Sequence, residues 1–426
     1  MADILDVDLR DFSAAYHAWV DRAQECEDTI TQWYRQAHDG RDPALGDLHH
    51  AYWRVMVERE RWGTLRNALQ DTWPLDVSNG PAPLAPPAPP SSPKPHRGGD
   101  VLRQVVQVTN ERDGEFLPRM YSYWPNAVIR GEVIYVFAGH ADGEPRFFQI
   151  TPDGRVARLG PLLPYRGTSE GWYWDADGWV YLIDGPRLRR VNPFSREDRV
   201  VFSIERTHPD CELWQAHSSD DGETHSATVQ RIVSDGPYPR VGTVVCRGRD
   251  LQTFYEPKGE LDESQITPDG EFLIIKEDEQ NRIVNLCSGA QRMIWDAEGA
   301  VGHSDCGPGI LVGEFSHGQY GECVLWDLRG PLAFDQRRVL FTTWNMGHVS
   351  IRGGVCLLSD ATHLSLVSLN GGGVVSFLRH GMTVADPLKP YNYQVKANLD
   401  PSGRVGCYMS NQGGARFDVF LTPIPE

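Results

Sequence analysis

Asn345-Met-Gly-His348-Val-Ser-Ile-Arg-Gly353-Gly-Val-Cys-Leu-Leu-Ser359 is the stretch that decides how this chain is read. It joins a polar residue, a short apolar strand, a tight glycine turn and a second apolar strand. Outward from it the pattern recurs as Asn126-Ala-Val-Ile-Arg-Gly131, Tyr173-Trp-Asp-Ala-Asp-Gly178, His217-Ser-Ser-Asp-Asp-Gly222 and Gln265-Ile-Thr-Pro-Asp-Gly270. His303-Ser-Asp-Cys-Gly307 and Asn398-Leu-Asp-Pro-Ser-Gly403 complete the set. The turn glycines at 131, 178, 222, 270, 307, 353 and 403 stand 37 to 50 residues apart. Three of the turns are Asp-Gly, the strongest short hairpin signal. Two further strand-like runs follow most copies, as in 281–286 and 292–295. Four strands at this period describe a propeller blade, so the expected fold is an all-β, seven-bladed β-propeller.

The seventh copy stops after a third strand, Phe417-Asp-Val-Phe-Leu-Thr422, close to the end of the sequence. Its missing fourth strand is expected from 101–108, Val-Leu-Arg-Gln-Val-Val-Gln-Val, which precedes the first copy. That pairing closes the ring and covers an otherwise bare sheet edge. The propeller domain is therefore read as 101–426.

Residues 1–78 read differently. Phe12, Tyr16, Trp19, Ala23, Cys26, Ile30, Trp33 and Ala37 alternate by four and three, a heptad seam on a helix. Asp39-Gly40-Arg-Asp-Pro43 breaks it, and Leu45, Leu48, Tyr52, Val55, Trp62, Leu65 and Leu69 build a second helix. This helical hairpin is too thin to bury its own aromatics, so it is expected to dock on a partner, another copy or the rest of the chain. His49 and His50 point about 100° apart on a helix and are not read as metal ligands. Residues 79–100 form a proline-rich linker, with eight prolines between Pro81 and Pro95. In polyproline conformation it reaches up to about 60 Å, which makes it a spacer.

Composition narrows the function classes. The formal charge is −17 and the basic residues are dispersed, which speaks against a nucleic-acid surface. No run of about 18 apolar residues offers a membrane span. The first residues lack a secretory signature, and the eight cysteines are scattered without a CxxC pair. The expectation is a reduced protein made in the cytoplasm.

Aligned on the turn, the position five before glycine reads Asn126, Tyr173, His217, Gln265, His348 and Asn398. His303 is the equivalent in the fifth copy, displaced by one if Gly307 marks the turn. Inner strands line a propeller's axis, so these positions converge on it. Random placement puts about 0.2 histidines at seven positions, against the three found. His217, Gln265, His303 and His348 are the metal or ligand candidates, and three imidazoles with an amide oxygen suit Zn²⁺ or Mn²⁺. Asn126, Tyr173 and Asn398 complete the polar ring. The competing reading is a hydrogen-bonded polar plug at the blade starts.

Ser218, Ser219 and Ser350 lie near histidines, but Gly-x-Ser-x-Gly is absent. Trp172, Tyr173 and Trp174 offer either an aromatic face for a sugar ring or blade packing. Gly371-Gly372-Gly373 lacks the Lys-Ser/Thr of a phosphate loop. His225, His317, His363 and His380 are assigned to outer strands or loops with ordinary roles.

The turns at 265–270 and 398–403, with the closing strand from Phe417, resemble those of Tol-type propellers and oligogalacturonate lyases. The resemblance covers roughly 101–426 and implies the propeller fold. In the lyases it further implies a divalent metal, typically manganese, held by histidines and a glutamine, with another histidine as base. His217, Gln265, His303 and His348 are similar in type, although the family's Gln-x-x-His-x-His run is absent. Three functions stay open. The first is a non-catalytic binding or structural component of an assembly such as a bacteriophage virion, with protein partners at the hairpin. The second is a metal-dependent uronate lyase acting on carbohydrate. The third is a small-ligand sensor.

Overall fold

The computed structural model describes residues 101–426, except 118–119, 167–170, 234–237, 249–250, 279, 295–302, 318–319, 333–336, 344–346, 361, 371–373, 384–393 and 426. The expected hairpin at 1–78 and linker at 79–100 lie outside the described residues. So do 371–373 and part of the opening stretch, Asn345 and Met346.

Seven four-stranded antiparallel sheets succeed one another along the described chain, as a seven-bladed propeller requires. Their inner strands are Ala127–Arg130, Tyr173–Trp174, Cys211–Ser218, Leu261–Ile266, Ser304–Gly307, His348–Arg352 and Asn398–Leu399. Blades one to six each run outward through three sequential strands. The seventh takes Val405–Ser410 and Asp418–Pro423, then borrows Val106–Gln107 as its outer strand.

The borrowed strand is shorter than the expected 101–108. Val106 pairs with Leu421 and Gln107 with Phe420, and the Val108 amide donates to the Val419 carbonyl at 2.8 Å. Beyond that the Thr109 hydroxyl takes over, donating to Asp418 Oδ1 at 2.8 Å and accepting from the Val419 amide at 2.9 Å.

The turns explain why the repeat was visible. Gly131, Gly178, Gly222, Gly270, Gly353 and Gly403 all adopt positive φ, where only glycine avoids a Cβ clash. A polar side chain ahead of the turn caps it. Asp400 Oδ1 accepts from the Arg404 and Val405 amides, both at 2.8 Å, and the Thr267 hydroxyl accepts from the Phe272 amide at 3.0 Å. The fifth blade corrects the register. Gly307 ends the inner strand, and the turn is Pro308-Gly309, with Gly309 at φ 66. Proline followed by a left-handed glycine suits a type II turn. His303 then precedes its strand end by the same step as Asn126 and His348, and no displacement is needed.

Packing occurs between blades. Ala127, Ile134, Val136 and Phe148 of blade one bury against Val405, Cys407, Met409 and Leu421 of blade seven, sealing the ring. The interface of blades three and four is the apolar-poor one, with Val245, Leu261, Leu273, Ile275 and Val284 alone as its buried cluster. Hydroxyls fill in there, with Thr228 and Ser264 at 3.2 Å. Trp172, Tyr173 and Trp174 are 2%, 6% and 1% exposed. They are blade packing, which corrects the sugar-face alternative. The described cysteines form no disulfide and, apart from Cys287, are buried.

Blade four carries a buried ion pair, Arg282 Nε to Glu277 Oε1 at 2.8 Å. Glu277 also accepts from the Lys258 amide at 2.7 Å, and Arg282 donates to the Glu256 carbonyl at 2.9 Å. Removing one partner strands the other charge in the core. Arg282→Ala is expected to cost about 3–5 kcal/mol in denaturant unfolding, with a Glu277→Gln/Arg282→Met double variant recovering much of the loss. A single-variant cost near zero would show that the pair does not hold the blade.

Candidate functional site

The axis is occupied by the segment that leads into the first inner strand. Tyr121, Tyr123 and Trp124 pack against one another tilted or edge-on, with ring centroids 4.5 to 5.7 Å apart. Pro125 follows, then Asn126. Sequence reasoning missed this plug, because the segment has no strand periodicity and its partners lie far along the chain. A cluster of three aromatics immediately before a blade start was the available signal.

Each aromatic is tied to a different part of the ring. The Tyr123 hydroxyl donates to Glu263 Oε2 of blade four at 2.6 Å. Trp124 Nε1 donates to the Ala216 carbonyl of blade three at 2.9 Å. Asn398 Nδ2 donates to the Tyr121 carbonyl at 3.2 Å and to Asn126 Oδ1 at 2.8 Å, while its Oδ1 accepts from the Asn126 amide at 2.9 Å. Arg352 of blade six donates to the Tyr123 carbonyl at 2.6 Å and pairs with buried Asp305 at 3.3 Å. Asp305 Oδ2 also accepts from the Ile351 amide at 2.7 Å. Plug and blade starts form one network.

The four metal candidates take three separate places. His217 stacks on Trp124 at 5.4 Å and lies 5.6 Å from the Tyr123 ring. Gln265 turns to blade five, where Nε2 donates to the Ser304 carbonyl at 3.1 Å and Oε1 accepts from the Cys306 thiol at 3.2 Å. His303 and His348 alone meet, with ring centroids 4.0 Å apart, and Tyr121 packs edge-on against His348 at 5.1 Å. Among the described residues no group of three or more His, Cys, Asp or Glu side chains is placed to hold a metal. The donor set therefore does not fit one ion. Tyr173 bonds to Ser218, so Asn126 and Asn398 are the members of the polar ring that clasp each other.

The His303–His348 pair has charged neighbours that sequence reading did not bring together. Lys276 and Lys396 both act on each imidazole, and Asp262 acts on His303. Lys276 lies opposite Glu263 in the ladder and pairs with Asp262 at 3.0 Å, while Lys396 Nζ sits 4.7 Å over the Tyr121 ring. Burial pushes the Glu263 carboxyl up, against the pull of Lys276 and the Tyr123 hydroxyl. His225, expected to be ordinary, is also buried and bonded to Ser218, which corrects that reading.

Burial holds the histidines neutral. It drives His217 down to about 3, and His303 to about 4 with help from Lys276 and Lys396. His348 is lowered by burial and then by His303.

No family model matches this chain, and no curated protein matches it. Among solved structures it is similar to an oligogalacturonate lyase in complex with manganese, at 16% identity and TM-score 0.59, covering 76% of this chain and 93% of that one. It is also similar to an oligogalacturonate lyase from Vibrio parahaemolyticus, at 10% identity and TM-score 0.57, covering 76% and 94%. The likeness is one of fold alone.

The neutral histidines make the ring sensitive to acid. Each titrates near 6.5 in the unfolded chain and lower in the fold. Their contribution is therefore complete above pH 6.5 and is lost as pH falls towards 4 for His303 and 3 for His217. A His303→Asn variant is expected to lose less melting temperature than the wild type between pH 7 and about 4.5. Parallel losses in the two proteins would show that His303 is not held neutral.

Proposed function

We propose that this chain is a binding propeller that serves as a component of a larger protein assembly and joins it through residues 1–78. The observation that carries this reading is the plug. Tyr121, Tyr123 and Trp124 fill the axis, and the blade-start residues bond to them and to one another. Such an axis is a structural hub, and recognition falls to the outer surfaces and the N-terminal segment. The sequence supports the second half of the proposal through the hairpin seam and the long proline spacer. A bacteriophage virion is the kind of assembly that such an anchor and spacer suit. The plug also speaks against a small-ligand sensor working along the axis.

A second reading, a uronate lyase, is favoured by one observation. Two lysines act on the neutral His303–His348 pair, and a cation beside a neutral imidazole is suited to an acidic sugar and its proton abstraction. The fold neighbours agree with it at the level of architecture.

Two measurements separate the readings. Incubation with uronate polymers, with and without Mn²⁺, is expected to yield no unsaturated product by ultraviolet absorbance, and product formation would replace the first reading by the second. Light scattering is expected to find the full chain self-associated or partner-bound and the chain lacking residues 1–78 monomeric. Identical masses per chain in both would remove the anchoring role.

A further inference from the structure

We propose that Ser218 is an activated nucleophile with His225 as its base, in a site between blades two and three that takes small esters. This inference does not rest on the proposed function. It concerns a different cluster, reached from the turn end of the inner strands.

Ser218 closes the inner strand of blade three and lies directly opposite His225 in the ladder. Its Oγ is 2.7 Å from His225 Nδ1. The side chain of Ser218 is partly exposed, whereas His225 is buried. Gly222, in the turn between them, offers its main-chain carbonyl to the imidazole. In the tautomer with its proton on Nε2, Nδ1 has its lone pair free to accept from the serine hydroxyl. Asp221 adds a negative charge near the ring. Nucleophile, base and a group orienting the base are thus in place.

Donors for a developing oxyanion are also present. The Tyr173 hydroxyl is 2.7 Å from Ser218 Oγ, and the Tyr181 hydroxyl bonds to the same serine. The two phenol rings stack at 5.1 Å, and burial keeps both protonated, with Tyr181 pushed up to about 12. Placed on Oγ itself, either hydroxyl can turn to the carbonyl oxygen of an ester bonded there.

In the step, Ser218 Oγ bonds to the ester carbonyl carbon while His225 Nδ1 takes the hydroxyl proton. The oxyanion accepts from a tyrosine. The bond to the leaving alkoxide then breaks, and the alkoxide departs with the proton from His225, leaving an acylated Ser218.

The test uses the full chain and a biotinylated fluorophosphonate. Oγ forms a bond to phosphorus, the phosphorus–fluorine bond breaks, fluoride leaves and the proton passes to His225. Peptide mapping is expected to place the label on Ser218 in folded protein, with at least about tenfold less in urea-unfolded protein and in folded His225→Gln. No label on Ser218 in the folded wild type, or equal label after unfolding, would overturn the proposal. So would undiminished labelling in folded His225→Gln. If that variant fails to fold, the comparison of folded and unfolded wild type decides.

Discussion

A ring of sheets holds together only when its last blade is joined to its first. Here the joint is a short piece of ladder, Val106 on Leu421 and Gln107 on Phe420, extended by Thr109 and Asp418. Blades one to six are made of consecutive strands, so their pairing is local. The seventh alone requires residues some three hundred positions apart. Once it closes, blades one and seven bury their facing apolar residues, and the outer edge of the last sheet is no longer bare. Closure also sets the segment 121–126 inside the ring.

That placement is what shapes the axis. The chain enters from the outer strand of blade seven and must cross to the inner strand of blade one. Tyr121, Tyr123 and Trp124 lie on the crossing and occupy the centre. Blade-start residues that line an open channel in the simplest picture of a propeller instead become the plug's hydrogen-bond partners. Asn398 and Asn126 clasp each other, Glu263 holds Tyr123, and Arg352 with Asp305 holds the backbone beneath it. His303 and His348 are left beside Lys276 and Lys396 at the level of Tyr121. The interface between blades three and four shows the opposite economy. Buried hydroxyls replace apolar volume there, and His217 Nε2 and Ser226 Oγ have no hydrogen-bond partner among the described residues.

The fold was legible because its information is local. A glycine with positive φ after a capping Asp, Ser or Thr is a statement about a few neighbouring residues. The turn glycine recurs in all seven blades at a near-constant interval, with such a cap in four of them, and names the architecture. Even the shared register of His303 with Asn126 and His348 was in the sequence, hidden because Pro308 takes the turn position that glycine holds in the other copies. The truncated seventh copy announced the borrowed strand, although ladder pairing was over-extended, since five of the eight expected residues never enter the described strand or its flanking bond.

The candidate site was legible only as a ring of positions. Sequence determined that polar side chains stand at equivalent places in seven blades, because blade register is set by each turn. It did not determine which of them meet. Gln265 faces blade five, His217 faces an indole and Tyr173 reaches a serine, because each side chain answers to the neighbouring blade and to whatever fills the axis. Those contacts join residues from 36 to 277 positions apart, as in Thr228 with Ser264 and Asn398 with Tyr121. Periodicity describes one strand at a time and cannot rank such pairs. Tertiary structure alone decided that the axis holds an aromatic plug, that two histidines sit with two lysines, and that Ser218 and His225 face each other across a turn.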